Sequence, residues 1–463
     1  MSKEADRLGW RVRIGFGAGD FAQNLVYVAA CMYLPFFYTD VFGLAPTVAA
    51  AVFLVAQIAD FLWNPLVGAF IDRRSSRWGK YRPYLVFAGL PFVVFAALCF
   101  WNPFGSCGGV WKAAYAYATY TGFTLLFTLV NVAYGALNAS LSRDTEEIAV
   151  LTSVRVFMAN AGCFAAAVGV PVLVAWLSGS RDASWRLALF MGFGFLPSFF
   201  LMPLVPSLRR RLGRKGMFYA FVPLAIVGMA AMYALSRIGR MYDSPGLLYA
   251  AQVVKASGII VTTGYMWALV PEVVACSEHL TGRRISGMVN AIIGVFFRAG
   301  MAVGRIVPGV VLAWTGYRAG GPREDVALPA DPGAWLWTMA ALALVAFAVL
   351  AFSCSQTRER VVMDAATSAQ VGIGEMWREF RRNAPLRILA VFFLFMFTVM
   401  SIGNVAGAYF MDGFDMQPPL AQEGIRWLVC VIPTILMVIA TAVIARYPLT
   451  DDLLDRMNHH MPL

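Results

Sequence analysis

Seven ionisable side chains lie inside the long apolar stretches of this 463-residue chain. They are Asp20, Asp60, Arg155, Lys255, Glu272, Arg298 and Arg305. A charged group at membrane depth costs roughly 3 kcal/mol or more, so each of them is a candidate functional group. Asp60 is the strongest candidate, because it lies in the middle of a stretch without an adjacent basic residue. A buried carboxylate can bind Na⁺ or a proton, since hard cations prefer oxygen ligands and burial favours the protonated acid.

Polar residues at helical spacing accompany these carboxylates. Asn24 follows Asp20 by four residues in GDFAQN, and Asn64 follows Asp60 by four residues in IADFLWNP. Positions three or four residues apart lie on one face of a helix. The same spacing groups three residues of TLVNVAY, which are Thr128, Asn131 and Tyr134. Such residues can bind a solute, or they can hydrogen-bond neighbouring helices and stabilise the packing, and both interpretations stay open.

The other ionisable groups have structural alternatives. Lys255 and Arg305 could extend to the membrane surface or form structural ion pairs. Glu272 lies near one end of its stretch, where a gating salt bridge is favoured over contact with a solute. The candidate gating residues are Asp72, Arg77, Lys80, Arg82, Glu272 and Arg283.

The elements that must position these residues are membrane-spanning helices. The chain is 60% hydrophobic and only 14% charged, whereas a soluble domain carries roughly a quarter charged residues. A span needs about 20 apolar residues. Twelve stretches qualify, at residues 14–38, 46–71, 83–101, 111–140, 150–177, 185–206, 217–236, 246–273, 285–313, 334–354, 386–410 and 426–446. The fold class predicted is an all-α membrane protein with twelve transmembrane helices.

The net charge of +11 reflects topology and not a nucleic-acid partner. If the N-terminus is cytoplasmic, 25 Lys and Arg residues lie on the inner side and 8 on the outer side. This bias follows the positive-inside rule. We therefore expect a multi-pass protein of the cytoplasmic (inner) membrane with both termini inside, and a monomer whose partners are membrane lipid and a small solute.

Two inner loops resemble each other. The segments GAFIDRRSSRWGKYRP (68–83) and LVPSLRRRLGRKG (204–216) both follow a span and carry a basic cluster. A repeated loop indicates two homologous halves related by an axis along the membrane normal. This loop pattern is that of major facilitator transporters.

Several strings together resemble one branch of that superfamily, the glycoside–pentoside–hexuronide:cation symporters, of which melibiose permease is the familiar member. They are GDFAQN, FFYTDVFGL, SRWGKYRP, TLVNVAYGAL, SVRVF, WALVPEVV, TGRRISGMVN, FFRAG, TRERV and YPLTDD, together with the span that carries Asp60 and Asn64. The resemblance covers most of the chain. It implies two six-helix bundles that alternate access to a central site.

The resemblance also implies roles for individual residues. It implies a cation site at Asp60, Asn64 and Thr128, with H⁺ or Na⁺ as the coupling ion and no cofactor. The implied substrate contacts are Asp20, Asn24, Asn131, Tyr134, Arg155 and Arg298. The chain departs from melibiose permease at four of these positions. Asn64 and Asn131 stand in place of carboxylates, Asn24 aligns with a sugar-binding Asp, and Arg298 replaces a Lys.

The order of the matching strings differs from the family order. The chain corresponds to family spans 1–5, then 8–11, then 6–7, then 12, with junctions near residues 178–184, 318–333 and 411–425. We therefore predict a first bundle from residues 1–180 and 319–360, a second from 181–318 and 380–463, and a cytoplasmic linker at 361–379. The alternative is simple chain order, with bundles at 1–206 and 217–463.

The function expected is cation-coupled symport of a sugar, glycoside or hexuronide. A lysolipid or other amphiphile transporter and a membrane receptor that does not transport are the alternatives. A membrane enzyme is disfavoured, because catalysis would require His or acidic residues clustered at a membrane face. The acidic loop cluster RDTEE (143–147) is instead expected to be a solvated connection between helices. We expect no catalytic residue and no metal site.

Overall fold

The computed structural model describes residues 8–72, 81–104, 108–141, 145–179, 184–239, 245–274, 286–318, 331–357, 373–411 and 414–447. Within these ranges every regular element is a helix, which confirms the all-α class. The helices are α1 (Trp10–Phe36), α2 (Pro46–Asp72), α3 (Arg82–Phe87), α4 (Gly89–Cys99), α5 (Gly109–Leu141), α6 (Thr145–Ser178), α7 (Ser184–Leu201), α8 (Val205–Arg237), α9 (Pro245–Ala268), α10 (Ser286–Trp314), α11 (Pro332–Gln356), α12 (Ile373–Arg382), α13 (Ala384–Met411), α14 (Pro419–Arg426) and α15 (Ile432–Ala445). Two π-helical turns, Phe37–Val41 and Trp427–Val431, follow α1 and α14 directly.

Eleven helical segments of the described chain are long and apolar enough to cross a membrane. The candidate that the sequence predicts in addition, α5, has 33 residues but is not among the eleven. Helix α5 carries Thr128, Asn131 and Tyr134, three of the predicted site residues.

The chain divides into two compact units. Unit 1 contains Met1–Gly192, Gly309–Ala365 and Gly407–Gln422, and unit 2 contains Phe193–Pro308, Ala366–Ala406 and Glu423–Leu463. Four boundaries fall inside helices, namely α7, α10, α13 and α14, so these helices contribute residues to both units.

Helix α1 is the centre of unit 1, and it packs most extensively against α6 and α11. Its contact with α6 is close because each helix has a glycine where the other approaches. A methyl group at Gly162 of α6 would meet the backbone of Phe21, and one at Gly17 of α1 would meet Val154. Small residues of this kind let membrane helices approach each other closely. Helices α2, α3 and α4 pack against α5.

Helix α11 lies in unit 1 and contacts α1, α3, α4 and α6. At one end, Trp335 is fully buried, and its ring stacks on Phe100 with centroids 5.8 Å apart. At the other end, Arg82 donates two hydrogen bonds, of 3.1 and 2.7 Å, to the carbonyl oxygen of Cys354. The contacts of α11 therefore extend along its whole length.

Unit 2 is organised around two helix pairs. Helix α8, which kinks at Gly213 with φ of 69°, packs against α9, α15 and the π-helical turn Trp427–Val431. Helix α10 meets α13 through hydrogen bonds from Thr398 to the Gly300 carbonyl (3.2 Å) and from Ser401 to the Met301 carbonyl (3.1 Å).

Candidate functional site

An ion pair between α1 and α6 is the most direct polar contact among the predicted substrate residues. Arg155 Nε lies 2.5 Å from Asp20 Oδ2. The Asp20 side chain is 10% exposed and the Arg155 side chain 27% exposed, so the pair is largely buried but Arg155 keeps some open surface. A buried charge of each sign compensates the other.

Tyr134 of α5 joins the same group. Its hydroxyl donates to the Phe16 carbonyl oxygen, and its ring stacks on Phe16 with centroids 4.9 Å apart. The guanidinium carbon of Arg155 lies 5.1 Å from the centre of the Tyr134 ring, which is cation–π distance. Three helices therefore fix the position of Arg155: α6 carries it, α1 pairs it and α5 stacks on it.

The two asparagines predicted to contact substrate lie at the edge of this group. Asn24 is half-buried one turn beyond Asp20, and its amide donates to the Asp20 carbonyl oxygen (2.9 Å). Its side-chain oxygen accepts from the Cys163 thiol at 3.8 Å. Asn131 is half-buried on α5, one turn before Tyr134.

The structure joins two of the three predicted cation-site residues directly. Thr128 of α5 donates a hydrogen bond to Asp60 Oδ1 of α2, and both side chains are buried. Asn64 follows one turn later on α2, and its amide nitrogen is buried without a hydrogen-bond partner in the described part of the chain. A carboxylate, a hydroxyl and an amide oxygen are ligand types that Na⁺ can use, and the carboxylate can also carry a proton.

Arg298 belongs to unit 2 and is half-buried on α10. The residue before it, Phe297, lies edge-on to Phe397 and Trp267, with centroids 4.3 and 6.1 Å away. The substrate contact implied for Arg298 stays a prediction.

The predicted gating residues are only partly described. Glu272 accepts a 2.9 Å salt bridge from Arg209, which ties the start of α8 to the segment after α9 inside unit 2. Arg82 binds the Cys354 carbonyl inside unit 1. Asp72 ends α2, but its side chain, like Arg77, Lys80 and Arg283, lies outside the described residues.

The expectation of a solvated RDTEE connection is wrong for Glu147. This residue lies in the first turn of α6, is 4% exposed and accepts two hydrogen bonds from Arg13 of α1, at 2.8 and 2.9 Å. The charge pattern of the loop was visible in the sequence. The pairing of Glu147 with the distant Arg13, which allows this acid to be buried, was not visible there.

A second polar cluster, which the sequence did not predict, lies at the end of α1 that is remote from the N-terminus. We define the α1-end cluster as Thr39, Asp40, Tyr317 and Tyr409, all of which are buried. Asp40 accepts from Tyr317 (2.9 Å) and from Thr39 (2.6 Å). The Thr39 and Tyr409 hydroxyls are 3.0 Å apart. All four residues belong to unit 1, although Tyr409 is on α13 and Tyr317 lies three residues after the end of α10.

Comparison with known proteins places this arrangement in a family. The profile described as MFS/sugar transport protein matches residues 15–192 and 180–331, and the Major Facilitator Superfamily profile matches residues 268–463. The two pieces of the sugar-transport match overlap beside the first predicted junction, at 178–184.

Three relatives match this chain over most of their own length. The chain is 33% identical over 417 residues to the uncharacterized symporter YnaJ of Bacillus subtilis, covering 71% of this chain and 88% of the relative. It is 25% identical over 441 residues to the isoprimeverose transporter of Lactiplantibacillus pentosus (77% and 91%). It is 26% identical over 396 residues to the glucuronide carrier protein homolog of Escherichia coli (68% and 85%).

These matches, with eleven candidate membrane helices in the described residues, identify a multi-pass membrane protein. The resemblance found in the sequence strings is thereby confirmed. The chain belongs to the glycoside–pentoside–hexuronide symporter family of the major facilitator superfamily.

Proposed function

We propose that this protein is a secondary transporter that couples the movement of a sugar, glycoside or hexuronide across the membrane to H⁺ or Na⁺ by alternating access. The observation that carries the proposal is the pair of adjacent sites in unit 1. One is the Asp60–Thr128 hydrogen bond, and the other is the Asp20–Arg155 ion pair with Tyr134 beside it. Helix α5 contributes to both sites, Thr128 to the first and Tyr134 to the second, and these two residues lie six positions apart.

The coupling ion is assigned to Asp60. Its carboxylate is buried, and Thr128 already donates a hydrogen bond to one of its oxygens. When Na⁺ binds, the carboxylate and the oxygens of Thr128 and Asn64 can coordinate it. When H⁺ is used, the carboxyl itself carries the proton. In either case the bound ion neutralises the Asp60 charge, which lowers the cost of its burial.

The substrate is assigned to the Arg155 group. A guanidinium presents a planar fork of donors that suits paired hydroxyls or a carboxylate. Asp20 can accept hydrogen bonds from sugar hydroxyls, and the half-buried Asn24 and Asn131 lie on the same two helices as Asp20 and Tyr134. One relative is named an isoprimeverose transporter and another a glucuronide carrier protein homolog, and the carboxylate of a glucuronide suits a site with an arginine.

The reordered bundles are part of the same proposal. Its support is that α11 contacts α1, α3, α4 and α6, whereas the simple chain order would pack it against residues 386–446. The starts of α7 and α14 and the ends of α10 and α13 lie in unit 1, and they depart from the proposed boundaries. We further propose that the N-terminus is cytoplasmic and that the membrane is the inner one, because of the bias in Lys and Arg.

Uptake by reconstituted proteoliposomes tests the proposal. A panel of radiolabelled glycosides, pentosides and hexuronides is presented with a Na⁺ gradient, a pH gradient or neither. We expect accumulation of at least one sugar above its external concentration with only one of the two gradients. Uptake of lysolipid in place of sugar, or no dependence of accumulation on either gradient, would contradict the proposal.

A further inference from the structure

A short basic helix that is too short to cross a membrane precedes the span α13. Helix α12 has ten residues, Ile373–Arg382, and ends one residue before α13 begins. Asn383 separates them, and its side-chain oxygen accepts a 3.0 Å hydrogen bond from the Leu386 amide as the N-cap of α13. Arg387 of α13 donates to the Arg381 carbonyl oxygen at 2.7 Å, so it satisfies the last turn of α12. The chain therefore changes from one helix to the other at a defined, fully buried residue.

The side chains of α12 form two neighbouring groups, an aromatic one and a basic one, and the Trp377 ring belongs to both because it stacks on Phe380 with centroids 5.7 Å apart. Phe380 stacks on Phe296 of α10, with centroids 5.2 Å apart, and fixes the helix to unit 2. Four other residues, Trp377, Arg378, Arg381 and Arg382, line an open groove of about 380 Å³. All four are exposed, and the Trp377 side chain is 60% exposed. Trp377 and Arg381, like Arg378 and Arg382, are four residues apart, so the four side chains form two neighbouring rows along one broad side of the helix.

The composition of this groove matches one kind of partner. A large exposed tryptophan beside three arginines is typical of helices that lie at a membrane surface, where the indole occupies the headgroup region. The cytoplasmic leaflet carries anionic lipids that attract basic segments. A guanidinium can bind a phosphate through two parallel hydrogen bonds. Glu375 and Glu379 also belong to the helix, so the segment 373–382 has three arginines and two acids.

We propose that α12 is an interfacial helix whose groove binds the headgroup phosphate of an anionic phospholipid in the cytoplasmic leaflet. Trp377 lies at the depth of the headgroup and the first acyl carbons, and Arg378, Arg381 and Arg382 hold the phosphate. Since α12 leads into α13 through Asn383, the lipid anchors the start of that span.

Native mass spectrometry of the full-length protein in detergent tests the site by titration with phosphatidylglycerol or with phosphatidylcholine. We expect the wild type to bind phosphatidylglycerol in preference, and R378Q/R381Q/R382Q to lose at least about tenfold in affinity for it. The matched control R210Q/R211Q/K215Q removes three exposed cations from α8 and should keep the wild-type affinity within about twofold. Equal losses in the two triple variants would show a general charge effect and overturn the proposal.

Two further measurements distinguish the lipid from other ligands and from misfolding. Trp377→Ala keeps all three arginines, and we expect it to weaken phosphatidylglycerol binding about threefold while inorganic phosphate at the same concentration does not compete. Full competition by inorganic phosphate would replace the lipid site by a simple phosphate site. The melting temperature of each variant in phosphatidylcholine alone must match the wild type, and an R378Q/R381Q/R382Q protein that is folded and retains phosphatidylglycerol overturns the assignment.

Discussion

Arg155 and Asp20 are 135 residues apart in the chain, yet their side chains lie 2.5 Å apart between α6 and α1. Neither charge is stable alone at this depth, because an uncompensated buried charge is costly. The pair therefore compensates both charges between α1 and α6, and in the proposed function it also presents a guanidinium and a carboxylate to the solute. The structural role of this ion pair can be tested separately from its functional role by a double variant that removes both charges, which restores charge balance without the carboxylate and the guanidinium.

We expect Asp20→Asn to abolish sugar uptake and to lower the free energy of unfolding by about 3 kcal/mol, because the Arg155 charge is left uncompensated. The double variant D20N/R155Q removes both charges and should recover most of that stability without recovering uptake. Thermal unfolding in lipid and uptake by proteoliposomes measure the two effects. Wild-type uptake by the double variant would mean that the pair is purely structural.

Asp60→Asn should leave the protein folded and abolish accumulation against a gradient, because the amide can neither carry a proton nor neutralise a bound cation. Counterflow, which needs no net ion movement, serves as the measure of residual sugar binding. Gradient-driven accumulation that persists in this variant would refute the assignment of the coupling ion to Asp60.

The hydroxyl of Thr128 has a close control on the same helix. Thr128→Val removes the donor to Asp60 and should raise the ion concentration needed for half-maximal uptake about tenfold, which is about 1.4 kcal/mol. Thr124→Val, one turn earlier, removes a hydroxyl that bonds only its own helix at the Tyr120 carbonyl (2.9 Å) and should change little. The ion dependence of uptake distinguishes them, and equal effects would place the cation elsewhere.

Tyr317→Phe removes a hydrogen bond to the buried Asp40 of the α1-end cluster. We expect a loss of about 2 kcal/mol, because the change leaves an oxygen of the buried Asp40 carboxyl without this donor. Tyr115→Phe is the comparison, since its hydroxyl donates to the neutral Leu98 carbonyl (2.8 Å), and it should cost about 1 kcal/mol. Chemical denaturation measures both, and a smaller effect at Tyr317 than at Tyr115 would contradict a stabilising role for the hydrogen bond between Tyr317 and Asp40.

Two glycines of α6 should respond oppositely to alanine. At Gly162 the added methyl would meet the Phe21 backbone, so we expect destabilisation by about 1–3 kcal/mol from overpacking. At Gly169 there is open space around the added methyl, and the same change should stabilise the helix by roughly 0.5–1 kcal/mol. Melting temperatures in matched lipid are the measurement. Similar values for both would mean that α1 and α6 are not in close contact at Gly162.

Sequence reasoning succeeded where the signal is local. Helical spacing placed Asp60 beside Asn64 and grouped Thr128 with Tyr134, because i, i+3 and i, i+4 positions share a face in any helix. Partners on other helices have no such signal. Membrane depth marked Asp20 and Arg155 as unusual, and the family resemblance implied that both contact the substrate, but their pairing depends on how α1 crosses α6. Glu147 failed for the same reason, since Arg13 lies 134 residues away.

The position of α11 in the chain has a consequence for biosynthesis. Helices α1, α4 and α6 are complete once residue 178 has been made, but the helix that packs between them ends at Gln356. During translation α7 to α10 must therefore enter the membrane while the surface of α1 around Gly15 and Gly19 still lacks its partner helix, α11. Until residue 356 leaves the ribosome, that surface faces lipid or another helix. The nascent chain thus holds an open bundle through more than a third of its synthesis, a stage at which insertases and quality-control proteases can act on it.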